Sequence, residues 1–117
     1  MSIWFVSNDL MFGSRLATTV QRFDLPLHTL APKTLDPTKF PEPAPRLVIL
    51  DLNVIGPQLE AWMTALQSLT PPPQTIAFGP HVQKDLLAEA ERLGCSQVMP
   101  RSQFHAQMEK LLMGFVD

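Results

Sequence analysis

Short apolar runs alternate with amphipathic stretches along nearly the whole of this 117-residue chain. The two most apolar runs, 3–6 and 47–50, lack the polar alternation of a half-exposed strand and are typical of strands buried on both faces. Three further runs complete a predicted set of five strands: 25–30, 74–78 and 97–99. Pro26 favours an edge or early-strand position for the second of the five.

The stretches between these runs carry apolar residues at helical spacing. Four helices are predicted, with apolar stripes at 12–23, 59–69, 82–93 and 104–115. Ser7 or Asn8 is a candidate N-cap for the first, and Ser102 precedes the last. Alternation of strand and helix predicts a parallel sheet covered by helices on both faces.

Residues 31–46 interrupt the alternation, because five prolines there forbid a regular helix of normal length. We expect one α/β domain over residues 1–117, a flavodoxin-like three-layer sandwich with a five-stranded parallel sheet of order 2-1-3-4-5. Its second helix should be shortened or replaced by the proline-rich loop. An apolar content of 45% can supply the core of such a domain.

Composition excludes several classes of function. A formal net charge of −2 without a basic stripe argues against nucleic acid as a partner. The apolar start at 3–6 is too short for a signal peptide or a membrane span, so we expect a cytoplasmic protein with no membrane partner. A lone Cys95 cannot form an internal disulfide and reads as a small buried residue.

Polar residues collect where ligands bind in such a sheet, at the carboxyl ends of the strands beside the reversal of strand order. The candidate site residues are Ser7, Asn8, Asp9, Asp51, Asn53, Gly79, His81 and Arg101. For His81 a turn or helix-start role is an equal alternative, whereas His28 and His105 read as surface or capping residues. The chain contains no GxGxxG or GxxxxGK[ST] motif, so a nucleotide cofactor would lack its usual cradle.

Two segments give the site a more specific interpretation. The run VILDLN resembles the third strand of bacterial response regulator receiver domains, whose terminal Asp accepts a phosphoryl group from a histidine kinase; Asp51 occupies that position. Asn53 matches the position whose backbone carbonyl helps to hold Mg²⁺. The segment LLAEAERLGCSQVMPR resembles the family's fourth helix and fifth strand, with Arg101 where the family has an invariant Lys.

The departures from this resemblance concern the metal and the phosphoryl group. Ser7 and Asn8 stand where receivers have two adjacent carboxylates, and Gly79 replaces the hydroxyl residue after the fourth strand. Asp9 could replace a metal ligand only if its loop were re-registered. We therefore expect no metal site, with Asp9, Asp51 and Asn53 as weak candidates, and we expect Asp51 to pair with Arg101.

The resemblance implies an atypical, non-enzymatic, stand-alone signalling domain that acts through protein contacts, without a cofactor and without normal Mg²⁺-dependent phosphorylation. Its partner would be a signalling protein or a histidine kinase, and residues 82–116 would form a homodimer face. One alternative is a functional single-domain response regulator, phosphorylated on Asp51 with Mg²⁺ bound. Another is a small flavodoxin-like ligand-binding protein or enzyme, for which SNDLMFGS is a weak match to a flavin phosphate loop.

Overall fold

The computed structural model describes residues 2–33 and 35–115. Its strands are β1 (Ser2–Val6), β2 (Leu27–Leu30), β3 (Pro45–Asp51), β4 (Gln74–Gly79) and β5 (Gln97–Pro100). Its helices are α1 (Leu10–Arg22), the single turn α2 (Leu52–Ile55), α3 (Leu59–Gln67), α4 (Lys84–Arg92) and α5 (Arg101–Met113). Short 3₁₀ turns lie at Pro37–Lys39 and Gly56–Gln58.

The five strands form one parallel sheet in the order β2-β1-β3-β4-β5, which confirms the predicted topology. Because successive side chains of a strand point to opposite faces, each strand serves two cores. In β1, Ile3 and Phe5 pack toward α1 and α5, whereas Trp4 and Val6 pack toward α3 and α4. Both faces are covered, which explains why the central strands carry continuous apolar runs.

The proline-rich crossover forms one 3₁₀ turn in place of a second crossover helix, as expected. Its Phe40 ring meets the Trp4 ring edge-on at 4.9 Å and stacks on Trp62 at 6.0 Å. The indole N–H of Trp62 donates to the Pro32 carbonyl at 2.9 Å. The crossover is therefore docked on the α3 face by aromatic side chains. Residue 34, within the predicted loop, lies outside the described residues.

Several local predictions need correction. The N-cap of α1 is Asp9, not Ser7 or Asn8, because its carboxylate accepts the Phe12 N–H at 3.0 Å. The apolar stripe of α4 does not include Val82, which precedes the helix and is 73% exposed. Cys95 is half-buried, not fully buried.

Ser102 lies inside helix α5 and not before it, because the helix begins at Arg101. None of the helices in the described ranges is long and apolar enough to cross a membrane.

Candidate functional site

Asp51 and Ser7 form the floor of the site, at the carboxyl ends of the neighbouring strands β3 and β1. Asp51 is the last residue of β3 and is 1% exposed; Ser7 directly follows β1 and is 2% exposed. The Ser7 hydroxyl donates to Asp51 Oδ2 at 2.7 Å and accepts the Asp9 backbone N–H at 3.0 Å. Ser7 therefore fixes one oxygen of Asp51 and is itself fixed by the start of α1.

The second oxygen of Asp51, Oδ1, is buried and has no hydrogen-bond partner within residues 2–33 and 35–115. Burial raises the pKa of Asp51, because the charged form loses water. The Ser7 hydroxyl, the positive charge of Arg101 and the backbone N–H of Asn53 oppose this rise. Asp51 is thus a buried carboxyl group whose one well-formed hydrogen bond within the described residues is that of Oδ2 with Ser7.

Arg101 pairs with Asp9, and the predicted pair between Arg101 and Asp51 is wrong. The guanidinium donates to Asp9 Oδ2 and lies over the rings of Phe12 and Phe78, at 5.0 and 5.7 Å from their centroids. The Asp9 side chain keeps 28% exposure and that of Arg101 keeps 40%. Pairing at this rim costs less desolvation than taking the guanidinium down to the buried Asp51.

Asp9 has both carboxylate oxygens engaged. Its Oδ1 caps α1 by accepting the Phe12 N–H, and its Oδ2 accepts from Arg101. The Phe12 N–H first, and then Arg101, hold the pKa of Asp9 below its usual value. Asp9 is therefore held as an anion at the mouth of the site, and both of its oxygens have partners in the protein.

The remaining predicted residues lie around this centre with different roles. Asn8 and Asn53 are exposed. Gly79 ends β4 beneath an apolar cover, since a Cβ there would come within 3.3 Å of the Leu52 Cβ and 3.6 Å of Leu87. The small residue lets α2 and α4 approach the strand, so a side chain with a hydroxyl group at this position would force Leu52 to shift.

His81 and His105 both line a surface cavity. The sequence predicted His81 as a site residue but not His105. The cavity has a volume of about 470 Å³ and is also lined by Pro80, Arg101 and Ser102. His105 meets the Phe12 ring edge-on at 5.5 Å. The signal that could have found His105 is its spacing, because residues 101 and 105 are one turn apart on α5.

The donor set does not fit Mg²⁺. A hard dication needs several oxygen ligands, mostly anionic or carbonyl. Of the carboxylate oxygens of Asp9 and Asp51, only Asp51 Oδ1 is without a partner, and the guanidinium of Arg101 already sits beside them. Within the described ranges, no group of three or more His, Cys, Asp or Glu side chains could hold a metal ion.

Comparisons with known proteins agree on the fold. No protein-family model and no curated protein sequence matches the chain. A CheY-like response regulator from Mesorhizobium loti has a similar solved structure, with a TM-score of 0.68 and 19% identity over 99% of this chain and 98% of that chain. A response regulator receiver protein from Burkholderia phymatum gives 0.64 and 15% identity, over 85% of this chain and 81% of that chain.

One part of a longer protein, NtrX from Brucella abortus, has a structure similar to that of this chain. Its TM-score is 0.68 at 19% identity, over 99% of this chain, which spans only 27% of the NtrX chain. At these identities the likeness concerns the fold. The receiver-like fold predicted from the sequence is thus confirmed.

Proposed function

We propose that this chain is a receiver-like signalling domain that acts through protein contacts and does not use Mg²⁺-dependent phosphorylation of Asp51. The observation that carries the proposal is the Asp9–Arg101 ion pair. It supplies the site with a resident cation and engages the one carboxylate that could have replaced the missing acidic pair.

The chemistry of phosphoryl transfer supports the same conclusion. Charge that develops on the transferred group is neutralised by metal ions and cationic side chains. Here the guanidinium of Arg101 is already held by Asp9 and by two aromatic rings. Ser7 holds one oxygen of Asp51, and the aspartate is 1% exposed. A phosphodonor would therefore meet a buried acceptor without the charges that the reaction requires.

The comparison supports a signalling role that works through binding. The likeness to the CheY-like protein from Mesorhizobium loti extends over 99% of this chain and 98% of that chain. A domain of this kind acts by changing what it binds, and we propose a signalling protein as the partner. A cytoplasmic location and a homodimer face over residues 82–116 are parts of the same proposal; residue 116 lies outside the described residues.

Beryllofluoride with Mg²⁺ tests the proposal, because together they mimic a phosphoryl group on a receiver aspartate. We expect the ¹H–¹⁵N spectrum of the protein to show no saturable change near Asp51 when both are added. The matched control is Asp51→Asn, in which any response at Asp51 must vanish. A saturable response that needs Mg²⁺ and is lost in Asp51→Asn would refute the proposal.

One observation favours a functional response regulator as the second candidate. Asp51 Oδ1 has no partner among the described residues, so one oxygen of the predicted phosphoacceptor is not held by the protein. In this case the Arg101–Asp9 pair would have to open before Mg²⁺ and the phosphodonor enter. The beryllofluoride experiment separates the two candidates, because only the second predicts a response that depends on Asp51.

A further inference from the structure

The outer side of β2 is an open edge of the sheet. β2 comes first in the strand order, so it pairs with β1 alone. The carbonyls of Pro26 and Leu30 accept the N–H groups of Ile3, in β1, and of Ser7, directly after it, at 2.9 and 3.1 Å. Alternate residues of a strand in a parallel ladder bond to the same neighbour, so the backbone N–H and C=O groups of Leu27 and Thr29 face away from β1. These groups are available to another extended chain.

A groove lies on each side of this edge. On the α1 side, a cavity of about 540 Å³ is lined by Val20, Asp24, Leu25 and Leu27, among others; we call it the α1 groove. On the α3 side, a cavity of about 550 Å³ is lined by Leu30, Leu35, Phe40 and Trp62, among others; we call it the aromatic groove. Thr29 borders both grooves.

The proline-rich crossover explains the second groove. A crossover helix after β2 would lie over this face of the sheet. The loop that replaces it makes one 3₁₀ turn and covers the face through Phe40, with space left beside the Trp62 ring. The aromatic groove is therefore a feature of this chain's own sequence, whereas the open edge follows from the strand order.

From this geometry we infer that the β2 edge binds an extended segment of a partner protein as a sixth strand. The side chains of such a segment point alternately to the two faces of the sheet. One set would enter the α1 groove and the other the aromatic groove. In this mode of recognition, backbone hydrogen bonds supply affinity and the side-chain pockets supply specificity.

Charge indicates the chemistry of the segment. Among residues 2–33 and 35–115, Asp24 is the only charged residue that lines the α1 groove, and it is exposed. Arg22, the nearest basic residue in sequence, already pairs with Glu109 at 2.7 Å. The aromatic groove has one charge of each sign, Asp36 and Lys39, beside its apolar side chains. The segment should therefore be apolar on the aromatic side, where no net charge favours either sign, and carry a basic residue toward Asp24.

A peptide segment suits the edge better than a second copy of this chain. β2 has four residues and is about 13 Å long, so pairing along this edge alone offers a short contact. A stable interface between folded proteins buries about 800 Å² on each partner, which is more than so short a strand supplies by itself. Two β2 edges related by a two-fold axis would also bring two α1 grooves together, and each contributes Asp24 without a basic residue. Neither groove would then bring a basic residue to the Asp24 of the other.

The experiment uses the synthetic peptide acetyl-RVRVTV-amide, which when extended presents two arginines and a threonine on one face and three valines on the other. We expect saturable ¹H–¹⁵N shifts at Leu27–Leu30 and at the Trp62 indole. Thr29→Pro should abolish binding, because proline removes an outward N–H that β1 does not use. Thr29→Val is the matched control and should bind as the wild type does.

Charge reversal supplies a second test that does not depend on proline being tolerated. Asp24→Lys should weaken binding of the basic peptide about two- to fivefold and favour acetyl-EVEVTV-amide, whereas Glu91→Lys on the remote helix α4 should change neither. Three outcomes would overturn the inference. The peptide could show no saturable binding, it could bind Thr29→Pro and Thr29→Val equally well, or its shifts could be confined to Arg101 and Asp51. Self-association that Thr29→Pro abolishes would overturn it in favour of a second copy. None of these outcomes depends on the beryllofluoride result.

Discussion

Replacement of Arg101 by methionine removes the resident cation while it keeps most of the apolar bulk of the side chain. The pair with Asp9 is partly exposed, so its loss should cost about 0.2–1 kcal/mol. The stacking of the guanidinium over Phe12 and Phe78 adds about 0.5–1 kcal/mol. Arg101→Met should therefore lower the free energy of unfolding by about 1–2 kcal/mol at neutral pH.

A double-mutant cycle with Asp9→Asn isolates the ion pair from the stacking. Asparagine is as good an N-cap as aspartate, so this variant keeps the cap of α1 while it removes the charge. The coupling between the two substitutions should be about 0.5–1 kcal/mol in urea unfolding, followed by the fluorescence of Trp4 and Trp62. Arg101→Lys is the matched control, because it keeps the charge and loses the planar stacking surface.

The coupling should depend on pH with a defined sign. The pKa of Asp9 is lowered in the folded protein, by the Phe12 N–H and then by Arg101. The stabilisation is therefore complete above the pKa of Asp9 in the unfolded chain and is lost as the pH falls through its lower folded value. A coupling below about 0.2 kcal/mol at low salt, or one unchanged between neutral and strongly acidic solution, would refute the resident-cation argument.

Two further predictions concern buried groups. Asp51→Asn should raise the free energy of unfolding at neutral pH by about 1 kcal/mol, because it removes a buried charge with one unpartnered oxygen. Because burial raises the pKa of Asp51, the wild-type protein loses stability to this burial only while the folded carboxyl group is charged. Urea unfolding should therefore show that the stability advantage of Asp51→Asn fades as the pH falls. A variant less stable than the wild type at neutral pH would contradict this. Burial raises the pKa of the Cys95 thiol to about 11. Iodoacetamide at neutral pH should therefore label Cys95 about a hundredfold more slowly in the folded protein than in the urea-unfolded protein, because the thiolate is the reactive form. Equal labelling rates would contradict this.

The sheet could be predicted from sequence because its signal is repeated and local. The runs 3–6 in β1 and 47–50 in β3 are apolar at every position, which is typical of strands buried on both faces. The five prolines of the crossover excluded a regular second helix by removing donors and fixing backbone angles. The strand order was expected as the flavodoxin-like arrangement of such an alternation and is confirmed.

Local choices between similar residues were less predictable. Ser7, Asn8 and Asp9 are all good N-caps, and the hydrogen bonds that select Asp9 come from the position of α1 relative to β1. Val82 continues the apolar spacing of α4, yet the helix begins at Lys84 and leaves Val82 in solvent. In both cases the sequence pattern allows several answers, and tertiary packing selects one.

The site shows why the partner of Arg101 could not be predicted. The sequence places one cation and two carboxylates at the same edge, but it does not rank the carboxylates by depth. Ser7 decides the outcome, because its hydroxyl donates to Asp51 at 2.7 Å and occupies the oxygen that a cation would otherwise contact. A carboxylate at position 7 would instead bring a second negative charge to this distance, and a dication would be needed to offset the repulsion. With serine there, Arg101 acts on Asp51 only through its charge and makes its direct pair with the anion at the rim.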